Sequence, residues 1–595
     1  MDIMEPTATS FTSLRRYGRL SVLTLFSILS VSMALWGVWP RVTAIAYASA
    51  SGAIQLKTMP WVFHGAARGN RLQVTLPVRW LTPRVWRVVP DDELLGIVVD
   101  GQTVPLTPIS PAALTDWGKG FEFDFSPWLK SGKNTIEFTL NNRGGDGGLL
   151  LHPKLGWRWA ILYAAFLPWI YTLVCAFRLR AHQWLPICLA LGVICAYWSV
   201  TPWTVRAHDV SNGDGHIDYV IRVADTLTLP KPNEGWELFQ PPLYYLGGAA
   251  ICSWARWLHL PGPESLQAYS LALWLVFLAA SAAVLQIVLR RRKARVAIAA
   301  TAVALWPSGI ILSICITNDI GLYACCGMAT LMMVRWWHGA RRHHLVQASF
   351  WVGLALLTKT SALVLVGALG MLLLLRLLRH QRWRHTQVWW QCLLAMSIVG
   401  AGFMLSVGKK MYYYRQGMIP DWLTGNSAAS LGDWLKVPAK LANFIPLDIP
   451  TFVTVPWLTL TDDASGRSNF WNVLLRSSLL GEFHFSGQLQ QYIAWGWGGV
   501  LLMLLVFALR QAHLLTDLRI VWRQAPWLAL GVLWIASLIS FRIHVAYACN
   551  NDFRYVLPVI VPFVATAVGA GAWARCSLVA MALGSVWFFT TLPYG

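Results

Sequence analysis

The chain has 595 residues, of which 56% are apolar and only 13% are charged, and its mean hydropathy is +0.49. A soluble protein of this size carries about twice that charged fraction. The composition therefore excludes a water-soluble enzyme, a disordered regulator and a fibrous protein. The formal charge is +21, but most Lys and Arg residues flank apolar segments, as they do on the cytoplasmic side of membrane proteins. The charge therefore does not indicate a nucleic-acid partner.

Apolar windows of about 20 residues recur along the whole chain and predict membrane-spanning helices. Placing the short Lys and Arg clusters on the cytoplasmic side puts the N-terminus inside and the C-terminus outside. The predicted fold class is a polytopic α-helical membrane protein of about 13 transmembrane helices with an inserted all-β sandwich domain. The predicted spans are 21–39, 157–177, 182–201, 266–289, 295–313, 320–337, 345–358, 361–377, 388–408, 491–509, 526–541, 554–572 and 576–592.

This topology divides the chain into five regions and places most of its unusual polar residues outside the membrane. The coincidence predicts that the chemistry takes place at the outer face. The regions are an N-terminal cytoplasmic tail with the first helix (1–39), an outer β-sandwich (40–156), a helical core (157–408) with an outer catalytic loop (202–265), an outer loop region (409–490) and C-terminal helices (491–595).

The first outer region has the pattern of β-structure. Apolar and polar residues alternate over 71–76, 121–125 and 134–140, which is typical of half-buried strands. Asp100-Gly101 is a strong hairpin signal between two of the strands. The run 123–142 resembles the jelly-roll sugar-binding modules of glycosidases. A packing domain without a ligand remains an alternative for this region.

The most informative stretch is 206–245, which is rich in acids in a chain that is otherwise poor in them. Carboxylates beside a membrane are costly and usually bind a cation, a proton or a hydroxyl. Apolar spacing after Asp214 predicts an amphipathic helix on which His216 and Tyr219 share a face. A second apolar helix, predicted at 241–259, follows Gln240.

Five segments in order carry a family resemblance. The Gly-His-x-x-Tyr helix start with an upstream Asp, followed by Pro-Pro-Leu-Tyr-Tyr, resembles the GT-C superfamily of membrane glycosyltransferases, which includes protein O-mannosyltransferases and lipid A aminoarabinose transferases. Four further segments are similar to later motifs of that superfamily. They are Thr317-Asn318-Asp319, the Lys-bearing junction 353–366, the loop 470–485 and the Arg-Tyr helix start 550–562.

The resemblance implies a reaction, its partners and its location. It implies inverting transfer of a sugar from a polyprenyl-phosphate donor, with a carboxylate as general base. The acceptor is left open among a glycan, a lipid and a protein. The implied location is the bacterial inner membrane, with membrane lipid around the helices, the active site facing the periplasm and no nucleic acid. The resemblance assigns no particular cofactor, a divalent cation remains open, and no metal ligands are predicted.

The candidate residues follow from matching the motifs position by position. Asp209 is the predicted base, and Asp214 is the alternative for that role. Asp319, and whichever of the two is not the base, are predicted to assist as further catalytic carboxylates. Cations at outer helix ends suit the charge that a lipid-phosphate leaving group develops, and Lys410 is a further candidate beside Lys409. The predicted substrate-binding residues are His216, Tyr219, Glu237, Gln240, Asn318, Lys359, Lys409, Arg554 and Tyr555.

Several of these residues also have plain structural interpretations. Asp214 suits a turn, and Asp319 suits an N-cap for the helix that follows it. Lys359 suits a side chain reaching from a helix end to the headgroups, and Arg554 suits an interface anchor or a partner for Asp552.

Two other function classes compete with a transferase. A transporter or flippase of lipid-linked sugars would place ionisable groups at the bilayer midplane on paired broken helices. A non-catalytic glycan-binding membrane subunit would use the β-domain and could dispense with the carboxylates of 206–237.

Overall fold

The structure is a computed structural model that describes residues 8–48, 52–56, 61–64, 67–143, 146–205, 215–289, 292–378, 386–428, 433–511 and 516–592. Helices dominate it. In chain order they are α1 (Ala8–Val38), α2 (Trp159–Phe177), α3 (Ala181–Val200), α4 (His216–Thr226), α5 (Leu243–Trp257), α6 (Gly262–Val288), α7 (Lys293–Ala304), α8 (Pro307–Leu312), α9 (Asn318–Gly339), α10 (Arg342–Leu356), α11 (Leu363–Leu378), α12 (Thr386–Phe403), α13 (Lys409–Arg415), α14 (Ile449–Thr454), α15 (Phe470–Leu480), α16 (Gln488–Arg510), α17 (Leu518–His544), α18 (Ile560–Ala567) and α19 (Ala572–Thr590).

Nine helical stretches within the described ranges are long and apolar enough to cross a membrane. The fold is therefore a multi-pass α-helical membrane protein, as the composition predicts. The nine stretches are Gly18–Val38, Gly156–Phe177, Ala181–Val200, Gly262–Val288, Thr360–Leu378, Thr386–Arg415, Gln488–Arg510, Leu518–His544 and Ala572–Thr590.

Two of the predicted spans are not continuous helices. The predicted span 295–313 is interrupted, since α7 ends at Ala304 and α8 begins at Pro307. The predicted span 554–572 begins with 3₁₀ turns that contain Pro558, and only then enters the short helix α18. The prediction of an unbroken helix is wrong in both places because proline lacks the N–H that an α-helix interior needs.

An antiparallel β-sandwich lies between α1 and α2. One sheet has the order β2-β1-β4-β9-β6-β7 and the other has the order β3-β10-β5-β8. The predicted alternation and the Asp100-Gly101 hairpin are confirmed, since both turn residues have positive φ and join β6 to β7. The strands are β1 (Thr43–Ala48), β2 (Gly52–Leu56), β3 (Trp61–His64), β4 (Ala67–Val78), β5 (Val85–Pro90), β6 (Glu93–Val99), β7 (Gln102–Val104), β8 (Phe121–Asp124), β9 (Gly132–Asn142) and β10 (Asp146–Pro153).

The two sheets share one apolar core. Leu72 and Val74 of β4, Phe138 of β9 and Val88 of β5 are all fully buried within it. Alternate residues of β5, β8 and β9 point inward, which is the usual arrangement of a sandwich. The sandwich therefore has its own hydrophobic core, separate from that of the helices.

A buried histidine makes the sandwich sensitive to acid. His152 of β10 is 5% exposed, and burial lowers its pKa from 6.5 to about 3, against a smaller raising effect of a hydrogen bond with the Ser199 backbone. An unfolded His takes up a proton below about pH 6.5, whereas folded His152 does not until about pH 3. Its stabilising contribution is therefore complete above pH 6.5 and is lost as the pH falls towards 3.

We expect the sandwich of the full-length protein to lose about 2–3 kcal/mol between pH 7 and pH 4.5 through this residue. Hydrogen exchange of β5 and β10 at both pH values measures the loss. The variant His152→Gln, which cannot titrate, should lose less stability than the wild type by that amount. Equal losses in the two proteins would contradict this assignment.

A close backbone contact joins α10 to α12. A Cβ atom added at Gly402 would lie 2.8 Å from the Cα atom of Gly353, so only glycine fits there. The chain leaves α10 towards Lys359 and leaves α12 towards Lys410. This contact therefore sets the spacing of two segments that carry lysines.

Candidate active site

The first feature of the site is a buried ion pair. Helix α9 begins at Asn318, and the hydroxyl of Thr317 accepts a hydrogen bond of 3.3 Å from the backbone N–H of Asp319. The cap is therefore Thr317, and the alternative interpretation of Asp319 as the cap does not hold. The Asp319 carboxylate accepts a 2.6 Å hydrogen bond from Nζ of Lys359, and their side chains are 2% and 13% exposed. This pair ties the start of α9 to the junction between α10 and α11.

A second cation and a tyrosine ring lie next to this pair. Nζ of Lys359 is 5.3 Å from the centre of the Tyr555 ring, and the Arg554 guanidinium carbon is 4.9 Å from the same centre. Nη2 of Arg554 also donates a 3.0 Å hydrogen bond to the Tyr555 hydroxyl. One aromatic ring therefore lies against two cations, an arrangement that stabilises both.

The backbone of Arg554 is fixed on both sides. Its N–H donates a 2.7 Å hydrogen bond to Oδ1 of Asp552, and its carbonyl accepts one from the hydroxyl of Tyr323 in α9. Asp552 is thus the cap of the following 3₁₀ turns. These bonds hold the segment that carries the guanidinium against the helix that carries Asp319.

The second feature is a chain of polar contacts that starts at α4. Nδ1 of His216 lies 2.7 Å from the Tyr245 hydroxyl and 4.0 Å from Oε2 of Glu237, while Nε2 lies 3.3 Å from the Thr317 hydroxyl. Thr317 in turn donates a long hydrogen bond of 3.4 Å to Oδ2 of Asp319. We call His216, Glu237, Thr317, Asp319 and Lys359 the polar cluster.

The predicted partners Tyr219 and Gln240 close this cluster from the side of α4. The ring of Tyr219 stacks on that of Tyr245 with centroids 3.8 Å apart. Its hydroxyl donates to the Gln240 carbonyl at 3.4 Å, and Nε2 of Gln240 donates to Oε2 of Glu237 at 3.1 Å. Burial raises the pKa of Tyr219 well above its usual value, so its hydroxyl remains a donor at neutral pH.

The side-chain amide of Asn318 is only partly used in hydrogen bonds within the described residues. Its Nδ2 donates to the carbonyl of Thr358 at 3.3 Å, but its Oδ1 is buried without a hydrogen-bond partner among the described residues. The side-chain amide of Asn551, three residues before Arg554, is also buried and unbonded within that part of the chain. Orphaned buried polar atoms are rare and suit a site that receives a polar ligand.

The two neighbouring lysines at 409 and 410 differ in position. Nζ of Lys410 donates to the Thr360 hydroxyl at 2.9 Å and to the Leu423 carbonyl at 3.2 Å, next to the segment that carries Lys359. Lys409 instead lies 5.4 Å from the ring of Tyr413 on its own helix. The structure therefore brings Lys410 towards the cluster, whereas the contact found for Lys409 is on its own helix.

The contacts described above locate most of the predicted site residues, with two exceptions. Asp209 and Asp214 lie outside the described residues. Two contributors were missed by sequence reasoning, namely Thr317 and Tyr245. Thr317 had a readable signal, because Ser and Thr are favoured caps at the position before a helix, whereas nothing distinguished Tyr245 from the Tyr beside it.

Across the described ranges, no group of three or more His, Cys, Asp or Glu side chains is arranged to hold a metal ion. The polar cluster contains two carboxylates, and both accept hydrogen bonds from other side chains. Glu237 accepts from Gln240, and Asp319 accepts from Lys359. This arrangement can bind and orient an anionic or hydroxylated ligand through charges and hydrogen bonds.

Comparisons with known proteins give structural likenesses only. No protein-family model and no curated protein matches the sequence. The chain is similar to ArnT from Cupriavidus metallidurans in the apo state (17% identity, TM-score 0.33, 68% of this chain and 76% of that one) and bound to undecaprenyl phosphate (15%, 0.31, 67% and 78%). It is also similar to the arabinosyltransferase EmbB from Mycobacterium smegmatis (10%, 0.35, 94% and 53%). Both are GT-C glycosyltransferases, the superfamily that the sequence motifs resemble.

Proposed function

We propose that this chain is a GT-C-type glycosyltransferase that moves a sugar from a polyprenyl-phosphate donor to an acceptor hydroxyl. The reaction would take place at the periplasmic face of a bacterial inner membrane, with inversion at the anomeric carbon. The observation that carries the proposal is the convergence of Asp319, Lys359, Arg554 and Tyr555 from three separate segments.

The chemistry of that convergence suits a phosphate ester. Lys359 has three N–H donors, of which Asp319 accepts one, and Arg554 offers a planar fork of donors suited to phosphate oxygens. The ring of Tyr555 keeps both cations beside each other. Two positive charges at one place stabilise the charge of a departing phosphate. The proposed donor is of the same class as the undecaprenyl phosphate bound to ArnT.

The proposed step balances without a further reactant. The acceptor oxygen forms a bond to the anomeric carbon while the bond from that carbon to the phosphate oxygen breaks. The acceptor proton passes to the carboxylate of Asp209, and the electron pair of the broken bond leaves with the lipid phosphate beside Lys359 and Arg554. Asp214 is the second candidate for the base, and Asp319 acts by holding Lys359.

The polar cluster suits recognition of the sugar and the acceptor. His216 and Glu237 are buried near Asp319 and offer both donors and acceptors of hydrogen bonds. Asn318 adds a carbonyl oxygen beside them that has no hydrogen-bond partner among the described residues. The hydroxyl groups of a saccharide can form hydrogen bonds with these donors and acceptors, whereas an apolar ligand would leave them unbonded.

The direct test is a donor assay with the purified full-length protein in detergent. It is incubated with a panel of radiolabelled polyprenyl-phosphate sugars, and we expect at least one donor to be consumed. Lys359→Met should lower consumption by at least tenfold, because the departing phosphate loses a charge-assisted hydrogen bond.

The matched control is Lys154→Met. Lys154 is also paired with a carboxylate at 2.6 Å, but it lies on the surface of the β-sandwich, and its replacement should leave consumption unchanged. The proposal fails if no donor is consumed by the wild type, or if the two lysine variants are equally active.

A further inference from the structure

A cavity of about 410 Å³ lies between the β-sandwich and the outer ends of α1, α3 and α6. This volume is in the range of small-molecule sites, about 300–1,000 Å³. Its wall includes Trp39, where α1 ends, Trp203, just after α3, and Trp86 of β5. The cavity is therefore built jointly by the sandwich and the helical domain.

Helix α4 forms the partition between this cavity and the polar cluster. The cavity is lined by three residues of α4 that are four positions apart, namely Ile217, Ile221 and Asp225. On the other side of the helix, His216 and Tyr219 contact Tyr245. Residues four apart lie on one face of a helix. A ligand in the cavity would therefore lie about one helix diameter, roughly 10 Å, from the polar cluster.

Two polar groups in the wall lack partners. The indole N–H groups of Trp39 and Trp203 are buried and have no hydrogen-bond partner in the part of the chain that the structure describes. Their residues are only 2% and 8% exposed. Buried indole N–H groups usually find an acceptor, and both of these belong to residues of the cavity wall.

The charged residues of the wall are balanced in sign. Arg41 and Arg256 line the cavity together with Asp225 and Glu264, and Arg256 is paired with Asp225. An anionic lipid headgroup would meet carboxylates as well as guanidinium groups. A neutral polyhydroxylated ligand is better suited, because it can both donate and accept, and because indole rings offer flat apolar faces to its C–H groups.

We propose that this cavity binds a saccharide, as a subsite for a sugar unit of the glycan acceptor. The acceptor role rests on the proposed function, whereas saccharide binding itself does not. Because α4 separates the cavity from the polar cluster, a glycan held in the cavity would reach the cluster by passing round an end of that helix.

The test is binding of the full-length protein in detergent to an array of neutral mono- to tetrasaccharides. In Gly262→Leu the new side chain narrows the cavity, because Gly262 lines it and a Cβ atom there meets no atom within 4 Å. Gly370→Leu in α11 is the matched control, because its Cβ position is equally open and lies outside the cavity wall. Trp203→Phe keeps an aromatic ring but removes the unpartnered N–H.

We expect the wild type and Gly370→Leu to bind the same array members, Gly262→Leu to bind them at least tenfold more weakly, and Trp203→Phe about 3- to 10-fold more weakly. Binding of no array member by the wild type would overturn the proposal, as would unchanged binding by both cavity variants. A different outcome would assign the cavity to lipid. In that outcome the wild type binds no saccharide of the array, and mass spectrometry finds a co-purified phospholipid that only Gly262→Leu lacks. Because no donor is present, failure here and failure of the donor assay are separate results.

Discussion

Sugar transfer is expected to fall by about 10²- to 10⁴-fold when Asp209 is replaced by Asn, which is the usual contribution of a general base. The amide has nearly the shape of the carboxylate but cannot take the acceptor proton. Donor binding should persist, because the proposed function assigns the phosphate to Lys359 and Arg554 and not to Asp209. Transfer of radiolabelled sugar and retention of donor by the same protein preparation separate the two effects.

Asp214→Asn is the matched control for this prediction, since it makes the same change five residues away in the same acid-rich stretch. We expect it to reduce transfer less than Asp209→Asn does. Full activity of Asp209→Asn together with loss of activity in Asp214→Asn would assign the base to Asp214 instead.

Asp319→Ala is expected to lower the free energy of unfolding by about 3–5 kcal/mol, which is the usual cost of removing one partner of a buried ion pair. The Lys359 ammonium would remain buried without the carboxylate that lies 2.6 Å away. Thermal unfolding in detergent, followed by tryptophan fluorescence, measures the change. The double variant Asp319→Ala with Lys359→Met should recover part of the loss, because no unpaired charge then remains.

The exposed pair of Glu122 and Lys154 provides the control for the ion-pair prediction. It has the same 2.6 Å separation, but its side chains are 41% and 46% exposed. Exposed pairs contribute about 0–1 kcal/mol, so Glu122→Ala should change stability little. If Asp319→Ala costs no more than Glu122→Ala, the buried pair does not have the role in stability that we assign to it.

The regular parts of the fold could be predicted from local sequence patterns. Strand alternation at 71–76 and the turn at Asp100-Gly101 depend on neighbouring residues alone, and both are found in the sandwich. The breaks before Pro307 and at Pro558 had the same kind of local signal, yet hydropathy windows average over it. Hydropathy therefore identified apolar segments correctly and overstated their continuity.

The sequence indicates which residues belong to the candidate site better than it indicates which of them are in contact. His216, Asp319, Lys359 and Arg554 stand out because polar residues beside apolar spans are costly. Which of them touch depends on how distant segments pack, and the sequence does not encode that locally. Lys409 and Lys410 could not be told apart for this reason, since adjacent helix positions face different neighbours.

The contact between Gly353 and Gly402 has a consequence for how the protein could move. With no side chain separating the two backbones, α10 and α12 would shift as a pair at this point. Under the proposed function Lys359 and Lys410 would then move together, and release of the spent lipid carrier would be one coupled motion.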